Sequence, residues 1–270
     1  MQGYLKVMKY LWVLPLGFVL LSSTSFATRI VGGCASPAPP ANQGYEVPVG
    51  EKLKYKISFL GMKRGHVSFM TSATSSNFWV KVKARLRLDG FFHWLDDIDG
   101  RMVSYVRPSD ARPGRMFNHV SSGKYDEIRE SAIFSGKNEV KGTLLYKGRK
   151  RPAKLAGTSD VLDALSVMYY LRSREFVAGT PFCFEVYHRR RLWRIDGQMQ
   201  QKVSLSNGDA LKIVASFRRL GGGKAGATPK TLTAWLSADR QQLPLKLMSP
   251  MGFGDLNVDL VNYRLLKASR

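Results

Sequence analysis

Residues 77–88 read NFWVKVKARLRL, and their alternation decides the fold class. Phe78, Val80, Val82, Ala84, Leu86 and Leu88 fall on one side of an extended chain, while Trp79, Lys81, Lys83, Arg85 and Arg87 fall on the other. Successive side chains of a strand point to opposite faces, so a period of two predicts a half-buried β-strand with one apolar and one cationic face. At about 3.3 Å per residue the four cations line roughly 20 Å of strand, with Trp79 at one end. KLKYKISF, residues 52–59, has the same design: Leu53, Tyr55, Ile57 and Phe59 point inward, and Lys52, Lys54 and Lys56 point outward.

Alternating runs continue in GTLLYKG, FCFEVYHRRRLWRI, QQKVSLS, ALKIVASFRRL, KTLTAWLS, LPLKLMS and DLNVDLVNYRLL, giving about ten strands separated by turn residues. The separators are Ser75-Ser76-Asn77, Asn207-Gly208-Asp209, the glycine-rich GGGKAGATPK and Asp239-Arg240. One segment departs from the pattern. In TSDVLDALSVMYYLRSR, residues Val161, Leu162, Leu165, Met168, Tyr169 and Leu171 or Arg172 recur at helical spacing behind Ser159 or Asp160, either of which suits an N-cap. This predicts a helix over about 159–173 and a mostly β fold: a single antiparallel curved sheet or open barrel wrapped around that helix. No break in composition divides residues 46–270, which read as one β-rich domain.

The chain begins with Lys6 and Lys9 ahead of an apolar segment, Leu11 to Leu21, that Pro15 and Gly17 interrupt. It is short for a membrane span and reads as an export signal over residues 1–27, with Ser25-Phe26-Ala27 as a small-x-small cleavage site. Residues 28–45, rich in Pro and Ala, read as a linker. Within it Cys34 has three readings. Val31-Gly32-Gly33-Cys34 resembles a bacterial lipobox, which would extend the signal to residue 33, lipidate Cys34 and attach the protein to a membrane, although Arg29 interrupts the apolar run that such a site continues. Alternatively Cys34 bridges to Cys183 in an oxidising compartment, or remains a free thiol. The localisation expected is exported, either periplasmic or anchored to the outer membrane as a lipoprotein.

VGEKLKYKISFLGMKRGHVSF near the start, TSDVLDALSVMYYLR on the helix and LTAWLSADRQQLPLKL near the end, together with DGFFHWLDDIDGRMVSYV, resemble the bacterial exported proteins grouped as domain of unknown function 3108. The resemblance spans roughly Val49 to Tyr263. It implies a β-rich envelope domain wrapped around a helix, with no established reaction and no catalytic residues to transfer.

The composition offers little catalytic chemistry. His66, His93, His119 and His188 are scattered without metal-ligand spacing, so neither a metal nor another cofactor is expected. His93, Asp96, Asp97 and Asp99 form a local cluster suited to acid–base work, and they carry the alternative function: an envelope glycan-acting hydrolase using residues 93–99. The competing reading makes Asp97 to Gly100 a hairpin turn. Nucleophile-elbow motifs are absent, and in GGGKAGATPK the Gly-Lys pair is followed by Ala225 where a phosphate loop needs Ser or Thr.

Charge is more informative. Lys and Arg total 42 against 20 acids, and removing the leader leaves 40 against 20, a net charge of about +20. Such a surface attracts polyanions and anionic head groups. Besides the two lysine and arginine stripes, YHRRRLWR supplies Arg189, Arg190, Arg191 and Trp193, where the aromatic could meet a lipid interface or stack on a sugar. The expected function is a non-enzymatic cell-envelope protein binding an anionic amphiphile or polymer: phospholipid, lipopolysaccharide or acidic glycan. The apolar sheet face would take acyl chains, and Trp79, Lys81, Lys83, Arg85, Arg87, Arg189, Arg190, Arg191 and Trp193 would hold the anionic groups. Nucleic acid fits the charge but not an export signal.

Overall fold

A computed structural model describes residues 34, 38 and 40–266, leaving out 77, 89–97, 123–124, 137, 158, 207, 221–229 and 252–253. The export segment, His93, Asp96, Asp97 and most of the glycine-rich loop therefore lie outside the described residues.

Eight strands follow the N-terminal segment: β1 (Glu51–Phe59), β2 (Met62–Ala73), β3 (Val80–Leu88), β4 (Ile98–Val106), β5 (Pro113–Ser122), β6 (Tyr125–Ser135), β7 (Glu139–Tyr146) and β8 (Arg149–Ala156). Then come the short β9 (Val161–Leu162), the one helix among the described residues, α1 (Ser166–Arg172), β10 (Pro181–His188), β11 (Arg191–Leu205), β12 (Gly208–Arg219), β13 (Lys230–Ser237), β14 (Pro244–Met251) and β15 (Gly254–Leu265). All fifteen strands belong to one sheet, ordered β8-β7-β6-β5-β4-β3-β2-β1-β15-β14-β13-β12-β11-β10-β9. Two meanders thus meet where the first strand pairs with the last, Lys56 opposite Asp259 and Ile57 opposite Val258.

Chain connectivity forces curvature on this sheet. Laid flat, its outer strands would stand about 65–70 Å apart at roughly 4.8 Å per strand. Yet β8 and β9, at opposite ends of the order, are joined by residues 157–160 alone, a link that reaches at most about 18 Å. The two ends must therefore approach each other. Side chains hold them there: Arg112 Nη2 donates to Asp160 Oδ2 at 2.6 Å, and Arg190 Nη2 to Pro152 O at 3.0 Å. Met116, Ala132, Phe134 and Val140 from one limb also share a buried cluster with Val161, Tyr187 and Leu192 from the other. A Cβ on Gly142 would collide with the Tyr187 hydroxyl, so this glycine permits the close approach. β8 and β9 do not pair, and the sheet stays open. The exposed β8 edge carries Arg149, Lys150, Arg151, Pro152 and Lys154, residues that discourage edge-to-edge association.

Fifteen strands exceed the ten or so read from alternation. β5 and β6 contain many polar residues, and β8 is basic with a central proline, so their period of two is faint. The helix is also shorter than expected. Val161 and Leu162 form β9, which pairs in parallel with Glu185 and Val186, so the sheet is not wholly antiparallel. The effective cap is Asp163, not Ser159 or Asp160: its Oδ1 accepts from Leu165 N at 2.8 Å and Ser166 N at 2.9 Å, and Ser104 Oγ donates to its other oxygen. The N–H groups of Leu165 and Ser166 are thereby satisfied, while Asp160, three residues earlier, is engaged by Arg112 and by the Tyr170 hydroxyl.

The helix packs on the apolar face of the sheet. Val167 and Leu171 border a cavity of about 50 Å³ with Phe182, Phe184, Ile195 and Phe217, and Met168 borders one of about 20 Å³ with Tyr55, Phe69 and Val258. Its last residue, Arg172, makes a bidentate ion pair with Glu51 at 2.8 Å for both bonds, and the two side chains are 2% and 0% exposed. Arg172 Nε also donates to Gln241 O at 2.9 Å, so this guanidinium joins the helix, β1 and the β13–β14 turn.

The N-terminal segment is not a free tether throughout. Glu175 N donates to Pro40 O, Asn42 N to Ser173 O and Val47 N to Pro108 O, so residues 40–47 lie along the body. Cys34 is bonded to Cys183, with Cα atoms 5.4 Å apart. A sulfur in that bond has no valence left for a lipid thioether, and the lipidated reading of Cys34 does not hold for this state.

Candidate functional site

β1, β2 and β3 are adjacent, and the registers place the two cationic stripes on one outer face. Lys52 lies opposite Met70 and Met70 opposite Lys83; Lys54 and Arg85 flank Ser68; Lys56 and Arg87 flank His66. The stripes are therefore not neighbours. Had they paired directly, like charges would have stood about 5 Å apart, whereas the interposed β2 separates them by roughly 10 Å. Short or uncharged residues on β2 form the floor between two walls of long cationic side chains.

The resulting groove has a volume of about 570 Å³. Lys52, Lys54, Lys83, Arg85, Arg101 and Arg264 supply its positive charge, and Ser68, Met70 and Asn262 lie between them. Asp99 sets one border, accepting from Arg85 Nη2 at 2.7 Å and from Arg101 Nη2 at 3.1 Å. Partial burial pushes its pKa up, but the hydrogen bonds and charges of Arg85 and Arg101 outweigh burial and hold the carboxyl below its ordinary value. Asp99 is thus a persistent anion that orients two guanidiniums. It sits within β4 together with Gly100, so neither belongs to the turn expected at 97–100.

The remaining expected residues are dispersed. Lys81 lies with its ammonium 5.6 Å from the Tyr105 ring centroid. Trp79 packs its indole over Gly114, where a Cβ would clash, and Phe78, expected inside, is 80% exposed just before β3 begins. Trp193 is 4% exposed and belongs to the main core, which removes it from any surface role. Arg189 and Arg190 form the β10–β11 turn with φ of 47° and 63°, left-handed values that ordinary side chains disfavour. The carboxylate of Glu130, on β6, holds that turn by accepting from Arg189 N and Arg190 N at 3.3 and 3.0 Å. These arginines, with Arg191, therefore sit where the sheet's two ends meet and not in the groove.

Arg101 and Arg264 escaped sequence reading because each is one cation in a strand of mixed character; only pairing with β3 and β1 brings them to the groove. Among the described residues, no three His, Cys, Asp or Glu side chains gather as a metal site, and no helix is long and apolar enough to cross a membrane.

His188, buried at the end of β10, yields a pH prediction. Burial and the charge of Arg189 push its pKa down to about 3. An unfolded histidine protonates below about 6.5, so between the two values the unfolded chain binds the extra proton and stability falls as pH drops. Between pH 7 and pH 5 this group removes about 2 kcal/mol of unfolding free energy. Glu130 and Asp163, whose pKa values burial raises, act in the opposite sense. Urea unfolding of the protein and of His188→Asn at both pH values isolates the histidine, and equal pH slopes would refute its role.

The overall architecture has a counterpart. A β-barrel-like protein of domain of unknown function DUF1849 from Brucella abortus superposes with a TM-score of 0.56 at 12% identity, covering 82% of this chain and all of that one. A protein of Bacteroides fragilis with a YmcC-like fold aligns over 82% of this chain and 99% of its own, at 8% identity and a TM-score of 0.37. No curated protein matches the sequence. The family model described as "Protein of unknown function (DUF3108)" matches residues 54–261, most of the sheet and the whole helix, and the chain belongs to that family.

Proposed function

We propose that this is a non-enzymatic protein of the cell envelope that binds an anionic polymer or the head group of an anionic amphiphile in the groove outside β1–β4 and β15. The observation that carries the reading is the convergence of six cations from four strands on one 570 Å³ groove that, among the described residues, Asp99 borders as its carboxylate. Its volume falls within the usual range for ligand sites, about 300–1,000 Å³. Among the described residues, the inner-face cavities beside α1 measure about 50 and 20 Å³, well short of an acyl chain. In this reading the open sheet curves over α1, its apolar face is filled by packing, and the outer face does the binding. Export fits the leader and the Cys34–Cys183 bond, since disulfides persist in oxidising compartments.

The test measures binding of the purified protein to phosphatidylglycerol vesicles and to an acidic glycan, with and without Lys81, Lys83, Arg85 and Arg87 replaced by Glu. The expected result is at least a tenfold loss in the variant and a steep weakening of wild-type binding with salt. Equal, salt-insensitive binding by both forms would overturn the proposal.

A further inference from the structure

Resting on the groove reading above, we infer that the ligand is one extended acidic glycan chain lying along β2 and gripped from both sides. The pairing registers build a ladder of three cationic rungs: Lys52 with Lys83 across Met70, Lys54 with Arg85 across Ser68, and Lys56 with Arg87 across His66. Successive rungs repeat every two residues, about 6.5–7 Å, and the walls stand roughly 10 Å apart before their side chains narrow the gap. A passage of that width takes a single chain. A bilayer surface would meet only the crests of the walls and leave the floor unfilled.

Spacing and charge then specify the chain. Among the described residues, six cations in register, with Arg101 and Arg264 beside them, face three acids on the outer side of the same strands: Asp99 between two arginines, Asp259 opposite Lys56, and Asp255 farther along β15. Lys52 stands directly opposite Arg264 and Arg85 opposite Arg101, like-charge pairs that are unfavourable unless anions lie beside them, and a polymer with regularly repeated carboxylates or phosphates supplies one at each rung. The floor and rim also offer Ser68 and Asn262, suited to sugar hydroxyls. Base-stacking platforms need exposed aromatic rings, yet among the described residues the one aromatic side chain bordering the groove, Phe69, is 3% exposed and belongs to the core. Phe117 and Ile133 are exposed on the same sheet face but lie on β5 and β6, three and four strands away from β2, outside the groove. Anionic vesicles are therefore the competing outcome.

The experiment titrates the purified protein with oligogalacturonides of one to eight residues, with phosphatidylglycerol vesicles and with oligothymidylate. Affinity is expected to climb at least tenfold from the dimer upward and to level off once the chain fills the three-rung ladder, about 13–14 Å. Lys52→Glu with Lys54→Glu removes one wall and Lys83→Glu weakens the other; each is expected to flatten the length dependence. Melting curves check that these variants fold, and the corresponding Gln substitutions replace any that do not. Length-independent binding, or tighter binding to vesicles or oligothymidylate than to the uronate series, overturns the single-glycan inference and leaves anion binding at the groove standing. A protein that binds none of the probes, or whose binding ignores the wall substitutions, overturns the groove reading itself.

Discussion

Replacing Arg172 by alanine is expected to lower the unfolding free energy by about 3–5 kcal/mol, the usual penalty for stranding one member of a buried ion pair. Glu51 has no exposed surface, and both its oxygens are occupied by Arg172. Without the guanidinium its charge is neither solvated nor compensated, and Gln241 O loses its donor. The rings of Tyr169 and Tyr45, 5.2 and 5.9 Å from the guanidinium carbon, lose a cation as well. Arg172→Lys keeps the charge but not the planar fork, and should fall between wild type and alanine. Combining Arg172→Met with Glu51→Leu removes both charges together and should recover most of the loss, because apolar replacement of a whole buried pair is often neutral. Urea unfolding of the four proteins decides the matter. A loss below about 1 kcal/mol in Arg172→Ala would mean that Glu51 finds other solvation and that the pair does not tie helix to sheet.

Breaking the disulfide is the second large effect. The bond joins residues 149 apart in sequence, and chain entropy alone assigns a loop of that size about 5 kcal/mol; measured losses for native bridges run from about 2 to 5. Cys34→Ser changes the half-exposed partner and leaves the buried Cys183 as a small apolar residue, so the comparison reports the cross-link and not a new polar group in the core. A fall in Tm of at least about 5 °C, matched by wild type under reducing conditions, is the expected result. Intact mass provides the independent check. A protein two protons lighter than its dithiol form carries the bond, whereas a diacylated Cys34 would overturn it and restore attachment through that residue.

How far the fold could be read in advance depended on how strongly each strand alternates. β1 and β3 show alternation of buried and exposed residues along nearly their whole length, because each covers the core with one face and meets solvent with the other. β10 is buried on nearly every residue and β8 exposed on most, so neither shows the pattern. Val161 and Leu162 fit helical spacing as well as a strand, and their pairing with Glu185 and Val186 decided between them. The candidate site divides similarly. Both cationic stripes were visible in the sequence, but Trp193 looked equally exposed and proved to be core.

By itself, the sequence determined the β-rich class, the single helical segment, the apolar and cationic faces of β1 and β3, and the large positive charge, since each depends on composition or on a period within one element. Tertiary structure alone decided that β2 separates the stripes, that Arg101 and Arg264 join them, that Glu51 meets Arg172, and that Cys34 meets Cys183. The physical reason is range. Alternation is set by neighbours two residues away, whereas these contacts join segments up to about two hundred residues apart and exist only once strand order and register are established.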